Sequence, residues 1–546
     1  MQCSSQNEER TLRDRYIILI LIISSLALTL PGLKGNLPSL TVSDEFQIVE
    51  RALHCGTGDF NPHLFTWPAQ LPVYMLFIVL GILFVVLKVL NVVITTHDYM
   101  LLYLENPTVI YITSRLFSII LSTLSIPFIY LMASRIANRT TAIFASVILI
   151  TSPLFIRYSH LAKPEAYLLL FTSMALFFIY RNHNLSKQNI ILSAIFTGTA
   201  ISTKYNALLI IPAVIAYIFI QKTDVKSHIR LSLMFVVITT LSFLIFSPFI
   251  VIDHHSAIGD IKTQIDRARE VGFQLMSSLR WFAVNISPRL ITPVIIPFAL
   301  LGFMMASRER KLIPLILLVL LNIAIIVGRY VPPHYLIVSL PPIAIIGGNG
   351  LQYLFSKIKR KNKYIGILFI SFIGLFIAIP TFIAVRKSAM TDTREMARQW
   401  IEENLTENSA ILIDRVIPDV ESPQLIPNPE SAERLSIWGR GNIRFRILIS
   451  VSKEIKNRRK YNLYLVSMAI KDVVSFIEGN NIKYVITSVF GDKEFYIDQC
   501  LDYGVETYPC ENEYHRILKE KYKLIKNFSP DGKITRGPEV LIYITE

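Results

Sequence analysis

Apolar runs of about 20 residues recur through residues 1–385, divided by short polar turns, and that length suits a helix crossing a bilayer. The first run, YIILILIISSLALTLPGL (Tyr16–Leu33), has no small-x-small cleavage pattern and is followed by many others. It reads as a retained span rather than a removed signal. From residue 386 the pattern changes. TREMARQWIEENL has the period of an amphipathic helix, AILIDRV and NIKYVITSV read as buried strands, and VLIYITE reads as a closing strand. The expected fold is a polytopic α-helical membrane domain over 1–385 followed by a soluble α/β domain over 386–546. No strong internal repeat, low-complexity run or long flexible linker interrupts it.

Composition agrees. The chain has 546 residues, 52% hydrophobic and only 17% charged, where soluble chains carry about a quarter. The net charge of +15 sits largely in short loops, where it reports orientation rather than a nucleic-acid ligand; no RNA- or DNA-binding motif is present. Basic clusters at Arg10–Arg15, Arg135–Arg139, Arg181–Lys187, Lys222–Arg230, Arg308–Lys311 and Lys357–Lys363 are expected to face the cytoplasm. Gly35–Leu71, Arg157–Tyr167, Ser202–Asn206, Asp253–Arg289, Arg329–Tyr335 and everything after Arg386 then face outward. One run breaks the parity: if Val73–Ile94 and Tyr111–Ala133 both crossed, Arg135 and Arg139 would lie outside. The rule is satisfied if Val73–Ile94 lies in the outer interface without crossing, its entry WPAQLP and tail THDY marking a segment that stops short. The expectation is therefore about 11 spans, a first outer loop over 34–72, a non-crossing juxtamembrane helix over 73–96, a cytoplasmic N-terminus and an extracytoplasmic C-terminal domain in the plasma membrane. Four cysteines (Cys3, Cys55, Cys500, Cys510) are too scattered for a disulfide scaffold or a zinc site, though Cys500 and Cys510 could pair if their domain lies outside.

Sorted by side, the ionisable residues gather at one face. Asp44 and Glu45 open the first outer loop in SDEF. Arg157, His160, Lys163 and Glu165 fill RYSHLAKPEAY, and Lys204 sits in STKYN. Asp253, His254 and His255 follow SPFIVI, and Arg329 and His334 flank GRYVPPHY. An acid or base beside several cations at a lipid interface suits a sugar donor carried on a polyprenyl phosphate. Lys204, Arg329 or His334 could hold the leaving phosphate, and Asp44 or Glu45 could serve as general base for an acceptor hydroxyl. Blander readings stand beside these. Asp44 and Glu45 also suit the N-terminus of a short helix, DEFQIVERAL, with Ser43 as its cap. Phe65, Trp67 and Tyr74 also fit ordinary interfacial aromatics, and Lys204, Arg157 and Arg329 also fit cations snorkelling to headgroups. His160, His254 and His255 also fit structural histidines, Glu165 a helix start after Pro164. No tight ligand spacing points to a metal, and no phosphate-binding glycine loop or G-x-S-x-G elbow is present.

The order of these features resembles the GT-C superfamily of membrane glycosyltransferases, in the group of protein O-mannosyltransferases and aminoarabinose transferases, bacterial or archaeal branch. The resemblance runs from Tyr16 to about Val385 through SDEF, GDFNPHLFTWPAQLPVY, SRLFSIILSTLSIPFIYLMASRIANRTTAIFAS, SPLFIRYSHLAKPEAYLLLF, GTAISTKYNALLIIPAV and RYVPPHYLIVSLPPIAII. It implies a polyprenyl-phosphate-sugar donor, no cofactor, and an inverting single displacement onto a lipid, glycan or protein acceptor. It implies Asp44 as catalytic base with Glu45 beside it, and a second acidic or acceptor site at Glu165 and His160, with Glu165 where an Asp is more usual. It also implies donor-phosphate contacts at Lys204, Arg329 and His334. Asn61, His63 and Trp67, in the element that opens the juxtamembrane helix, would wall a sugar or lipid groove. RGPEVLIYITE looks like the glycine-proline-then-strand close of relatives. A transporter or lipid flippase, with repeated halves and mid-membrane ion sites, and a non-catalytic assembly partner remain the alternatives.

Overall fold

The structure is a computed structural model describing residues 2–181, 185–221, 224–270, 280, 282, 287–306, 309–327, 333–414, 422–435, 447–448, 451, 453–466, 472–489 and 509–545. Two compact units emerge. One comprises Met1–Leu33, Asn61–Met75 and Arg115–Arg386; the other comprises Lys34–Phe60, Leu76–Ser114 and Lys387–Glu546.

The first unit is helical. Across the described residues of the whole chain, six helical stretches are long and apolar enough to cross a membrane: Leu12–Gly32, Gln70–Val89, Thr108–Ile136, Val225–Phe246, Pro333–Lys361 and Lys363–Ala389. Arg139–Ile150 and Pro153–Ser159, bent by 59° at their break, form a seventh if taken as one span. The apolar helices Pro164–Tyr180, Tyr205–Gln221 and Pro293–Met305 are shorter. Some apolar runs break at polar-proline steps such as Ser152–Pro153, where Ser152 caps the second helix, so that one crossing is shared between two helices if they form a single span. The helix Leu340–Lys361 packs on Ile296–Ala306 and on Arg139–Ile150. Gly302 and Gly350 make the first of these approaches possible, since a Cβ on either would strike a backbone carbonyl of the facing helix, Ile346 or Phe298. Small residues that let backbones close up are what helix packing in lipid selects.

In the second unit the acid pair stands on a helix, Ser43–His54, with Asp44 and Glu45 in its first turn. Val42, extended, holds the cap position, so Ser43 is the first helical residue and not the cap. The apolar helix after WPAQLP spans Gln70–Val89, beginning earlier and ending sooner than its hydropathy suggests. Asn91 then turns with φ 56°, and a capping box between Thr95 and Asp98 starts a new helix, Thr96–Glu105. THDY therefore opens a helix instead of closing one.

Beyond Arg386 the strands are β1 (Thr391–Asp392), β2 (Ala410–Asp414), β3 (Ile426–Pro427), β4 (Lys460–Val466), β5 (Tyr484–Val489), β6 (Lys523–Phe528), β7 (Thr535–Arg536) and β8 (Glu539–Ile544). Six of them form one sheet in the order β3-β4-β2-β5-β8-β6, and β1 pairs with β7. β3, β4, β2 and β5 run parallel, and β8 is antiparallel to both its neighbours, β5 and β6, so that β6 points the same way as the parallel set. Alternation along β2 explains its continuous apolar run. Ile411 and Ile413 pack on the face with Ala397 and Ile401 of the helix Thr393–Asn404. Leu412 packs on the other face with Val473, Ile477 and Leu518.

Candidate functional site

Four of the residues picked out in the sequence meet inside the first unit. Glu165 lies in the first turn of Pro164–Tyr180, behind a proline that suits the first helical positions. Lys204 follows the last residue of Lys187–Thr203; its N–H still donates to Ala200 O at 3.0 Å, but its backbone is already extended, with φ −159° and ψ 135°. That exit is fixed by Ser202, whose hydroxyl reaches Phe246 O at 2.9 Å and lies 2.6 Å from the Ser247 hydroxyl. The Lys204 ammonium donates to Glu165 Oε1 at 2.9 Å, with side chains 8% and 0% exposed. Snorkelling is excluded for this lysine. Glu165 Oε2 is buried with no hydrogen-bond partner.

His334, in the short 3-10 helix Pro333–Ser339, brings Nε2 to 3.9 Å from the same Glu165 oxygen. Its Nδ1 lies 3.4 Å from the Tyr158 hydroxyl. Two aromatic rings complete the surroundings of Lys204: Tyr335 at 4.5 Å and Trp67 at 5.9 Å from the ammonium to the ring centroid. Both are within the reach of cation–π attraction. Lys163 and Arg157 approach the Tyr158 ring at 5.0 Å and 5.7 Å. The cluster sets three permanent cations, Lys204 and Lys163 buried and Arg157 exposed, against one buried carboxylate, which is an arrangement suited to an anion.

Tyr335 and Tyr158 escaped notice in the sequence. The signal was adjacency, since Tyr335 follows His334 and Tyr158 follows Arg157. What orients Tyr335 was not visible: Asn206 and Asn322 both donate to its carbonyl, at 2.9 Å and 3.2 Å.

The other residues are placed as follows. His160 is buried, with Nδ1 donating to Ile156 O at 2.7 Å, which assigns the proton to that nitrogen. Asn61 donates to Asp253 Oδ2 at 2.8 Å, and the His63 N–H donates back to Asn61 Oδ1 at 3.0 Å while His63 holds φ 48°. The same strand of loop is tied at Phe65, whose N–H donates to Asp260 and whose carbonyl accepts from the Tyr205 hydroxyl. Hydrogen bonds from Ser256 and Asn61 hold the Asp253 carboxyl below its ordinary range. Asn61 and His63 thus stand with Asp253, whereas Trp67 stands with Lys204. Asp44 and Glu45 belong to the second unit, Asp44 half-buried and Glu45 buried. Arg329 and Cys500 lie outside the described residues, as does the side chain of Cys510. Among the described residues no group of three or more His, Cys, Asp or Glu is placed to hold a metal ion.

Residues 111–252 match the family model described as dolichyl-phosphate-mannose-protein mannosyltransferase. Those residues carry His160, Lys163, Glu165 and Lys204. The apo oligosaccharyltransferase of Archaeoglobus fulgidus superposes with a TM-score of 0.50 at 12% identity, over 98% of this chain and 74% of that one. Apo ArnT from Cupriavidus metallidurans gives 0.50 at 12% identity, over 98% of both chains. The chain shares the fold of these two structures. ArnT bound to undecaprenyl phosphate superposes at 0.44 with 11% identity, over 98% of both chains. No curated protein sequence matches the chain. The shared fold and the long apolar helices make it a multi-pass membrane protein with an α/β region at its C-terminal end.

Proposed function

We propose that the chain is a glycosyltransferase that moves a sugar from a polyprenyl phosphate to an acceptor hydroxyl at the outer membrane face. The observation that carries this reading is the buried Lys204–Glu165–His334 cluster, whose Lys204 and Glu165 lie within the segment that matches a family described by its dolichyl-phosphate-mannose donor. An ammonium has three N–H donors. One holds Glu165, which fixes the Lys204 head in place, and the others serve the donor phosphate. His334, with Arg329, adds to the phosphate contacts, and the positive field of Arg157 and Lys163 stabilises the charge that grows on the leaving polyprenyl phosphate.

The reaction is an inverting single displacement. The acceptor oxygen attacks the anomeric carbon, the sugar–phosphate bond breaks, and the acceptor proton passes to a carboxylate. Asp44 is that base; Glu45, buried beside it, is its partner. Glu165 and His160 form a second polar site toward the acceptor, and Asn61, His63 and Trp67 wall the groove for the sugar or its lipid. The about 11 spans, the outward C-terminal domain over 386–546 and a non-crossing segment over 73–96, built on the helix Gln70–Val89, belong to the same reading.

The test is transfer by the purified full-length protein in nanodiscs, offered a panel of polyprenyl-phosphate sugars with membrane extract as acceptor. Release of polyprenyl phosphate by wild type but not by Asp44→Asn is the expected result, and the sugar consumed names the donor. Transport of a polyprenyl-phosphate sugar across sealed vesicles with no covalent change would reject the reading.

A further inference from the structure

The segment that leads to Asp44 is fastened by the far end of the chain. Asn36 lies in the left-handed region, φ 66°, and its amide nitrogen donates to Thr41 Oγ1 at 2.5 Å, closing the turn before the acid-bearing helix. Its amide oxygen receives both Nε and Nη2 of Arg536, at 3.0 Å and 2.8 Å, across 500 residues of sequence. Arg536 is itself fixed by pairing of β7 with β1 and by a bond from Nη1 to Lys387 O at 3.0 Å. Two further ties follow along the same segment. Ser39 Oγ donates to Glu395 Oε2 at 2.5 Å, and Gln424 Nε2 donates to Leu40 O at 3.3 Å. Glu395 is held in turn by Arg398 through both oxygens, at 2.8 Å and 2.5 Å. Asn36, Ser39, Thr41, Glu395 and Gln424 are all buried.

Three successive anchors within six residues are more than a loop needs to stay folded. Charge-assisted, two-armed bonds from arginine also fix direction as well as distance. We infer that Arg536, acting through Asn36, is a positioning residue for Asp44: the RGP close of the chain sets where the first turn of Ser43–His54 presents its carboxylate. This rests on the reading of Asp44 as the base.

The test compares full-length wild type, Arg536→Ala, Asn36→Gly and the double variant in nanodiscs, with Asp44→Asn alongside. Asn36→Gly keeps a left-handed backbone accessible and deletes the side chain that joins Arg536 to Thr41. Deuterium exchange over residues 36–48 reads the anchoring, and kcat and KM for the donor that wild type uses read the chemistry. Exchange is expected to rise in each variant with melting temperature held. The kcat is expected to fall about tenfold or more, as small misplacements of a reacting group do, with KM for the donor unchanged. The double variant should lose no more than the worse single one, because Arg536 acts on the segment through Asn36. Unchanged kcat in Arg536→Ala, with Asp44→Asn inactive, overturns the inference and leaves the assignment of Asp44 standing. Full activity of Asp44→Asn overturns both. Multiplicative losses in the double variant also overturn it, since Arg536 then acts elsewhere. Arg536→Lys, which keeps the charge without the two-armed donor, replaces Arg536→Ala if that variant folds poorly, and the same outcomes apply.

Discussion

Lys204 and Glu165, 39 residues apart in sequence, form an ion pair at 2.9 Å with both side chains withdrawn from water. Removing one partner of such a pair strands the other as an uncompensated buried charge, which costs about 3–5 kcal/mol, whereas replacing both can be neutral. Lys204→Met should therefore lower the melting temperature more than the double variant Glu165→Gln, Lys204→Met. Both should be inactive in sugar transfer, since both lack the ammonium. Thermal unfolding in detergent, paired with the release of polyprenyl phosphate, separates the two effects. A double variant less stable than the single one would mean that the pair is not the dominant partner of either charge.

Asp44 and Glu45 differ in exposure although they are neighbours in one helical turn: Asp44 is half-buried and Glu45 is 2% exposed. A base must reach a substrate proton, so the proposed role falls to Asp44 rather than Glu45. Asp44→Asn should reduce kcat by about 10²–10⁴-fold, the range for loss of a general base, without reducing the amount of protein in the membrane. Glu45→Gln should show the reverse balance, with a larger fall in melting temperature and a smaller fall in kcat. Equal kcat losses with unchanged stability in both would make the two carboxylates a shared base.

The helix Ser43–His54 was legible because its signals are local: apolar positions at helical spacing and acids at the N-terminal end. The strands AILID and YVITSV were legible for the same reason, each being a short β-branched run. Pairings were not. Hydropathy and charge placed Lys204 and Glu165 at the same face, but nothing in either segment said that one would neutralise the other. The 500-residue closure from Arg536 to Asn36 left no trace in the local pattern at either end. Hydropathy ran Val73–Ile94 together as one stretch, since it cannot see that the helix ends at Val89 and that Thr95 and Asp98 cap a new one.

Asp531 supplies an acid-sensitive element in the turn between β6 and β7. Its Oδ1 accepts the backbone N–H groups of Lys533, Ile534 and Thr535, each at 2.8 Å, and these bonds hold the carboxyl well below its ordinary range. A folded-state pKa below the unfolded one means stability that is present above the unfolded value, 3.8, and is lost as pH falls through the folded one. Asp531→Asn removes that titration. Melting temperature of the full-length protein should therefore fall less steeply for Asp531→Asn than for wild type as pH drops below about 4. Parallel acid limbs would show that the turn does not report on stability.

Gly537, next to Arg536, holds φ 112°, and a Cβ there would stand 2.6 Å from Thr393 Oγ1 and 2.8 Å from Asp392 Oδ1. Neither neighbour can yield cheaply. Thr393 donates to Pro538 O at 2.5 Å, and Asp392 accepts from Arg394 Nε at 2.7 Å and Nη2 at 2.8 Å, in a site where both residues are buried. Gly537→Ala thus combines backbone strain of about 1–3 kcal/mol with a collision. Gly532 is the matched control, because its φ is also positive, 63°, but nothing lies within 4 Å of its missing Cβ. Gly537→Ala should lower the melting temperature clearly more than Gly532→Ala. It should also raise deuterium exchange in β1, whose pairing with β7 it disturbs. If the two alanine variants melt alike, the collision is relieved by local movement, and strain alone accounts for the glycine at position 537.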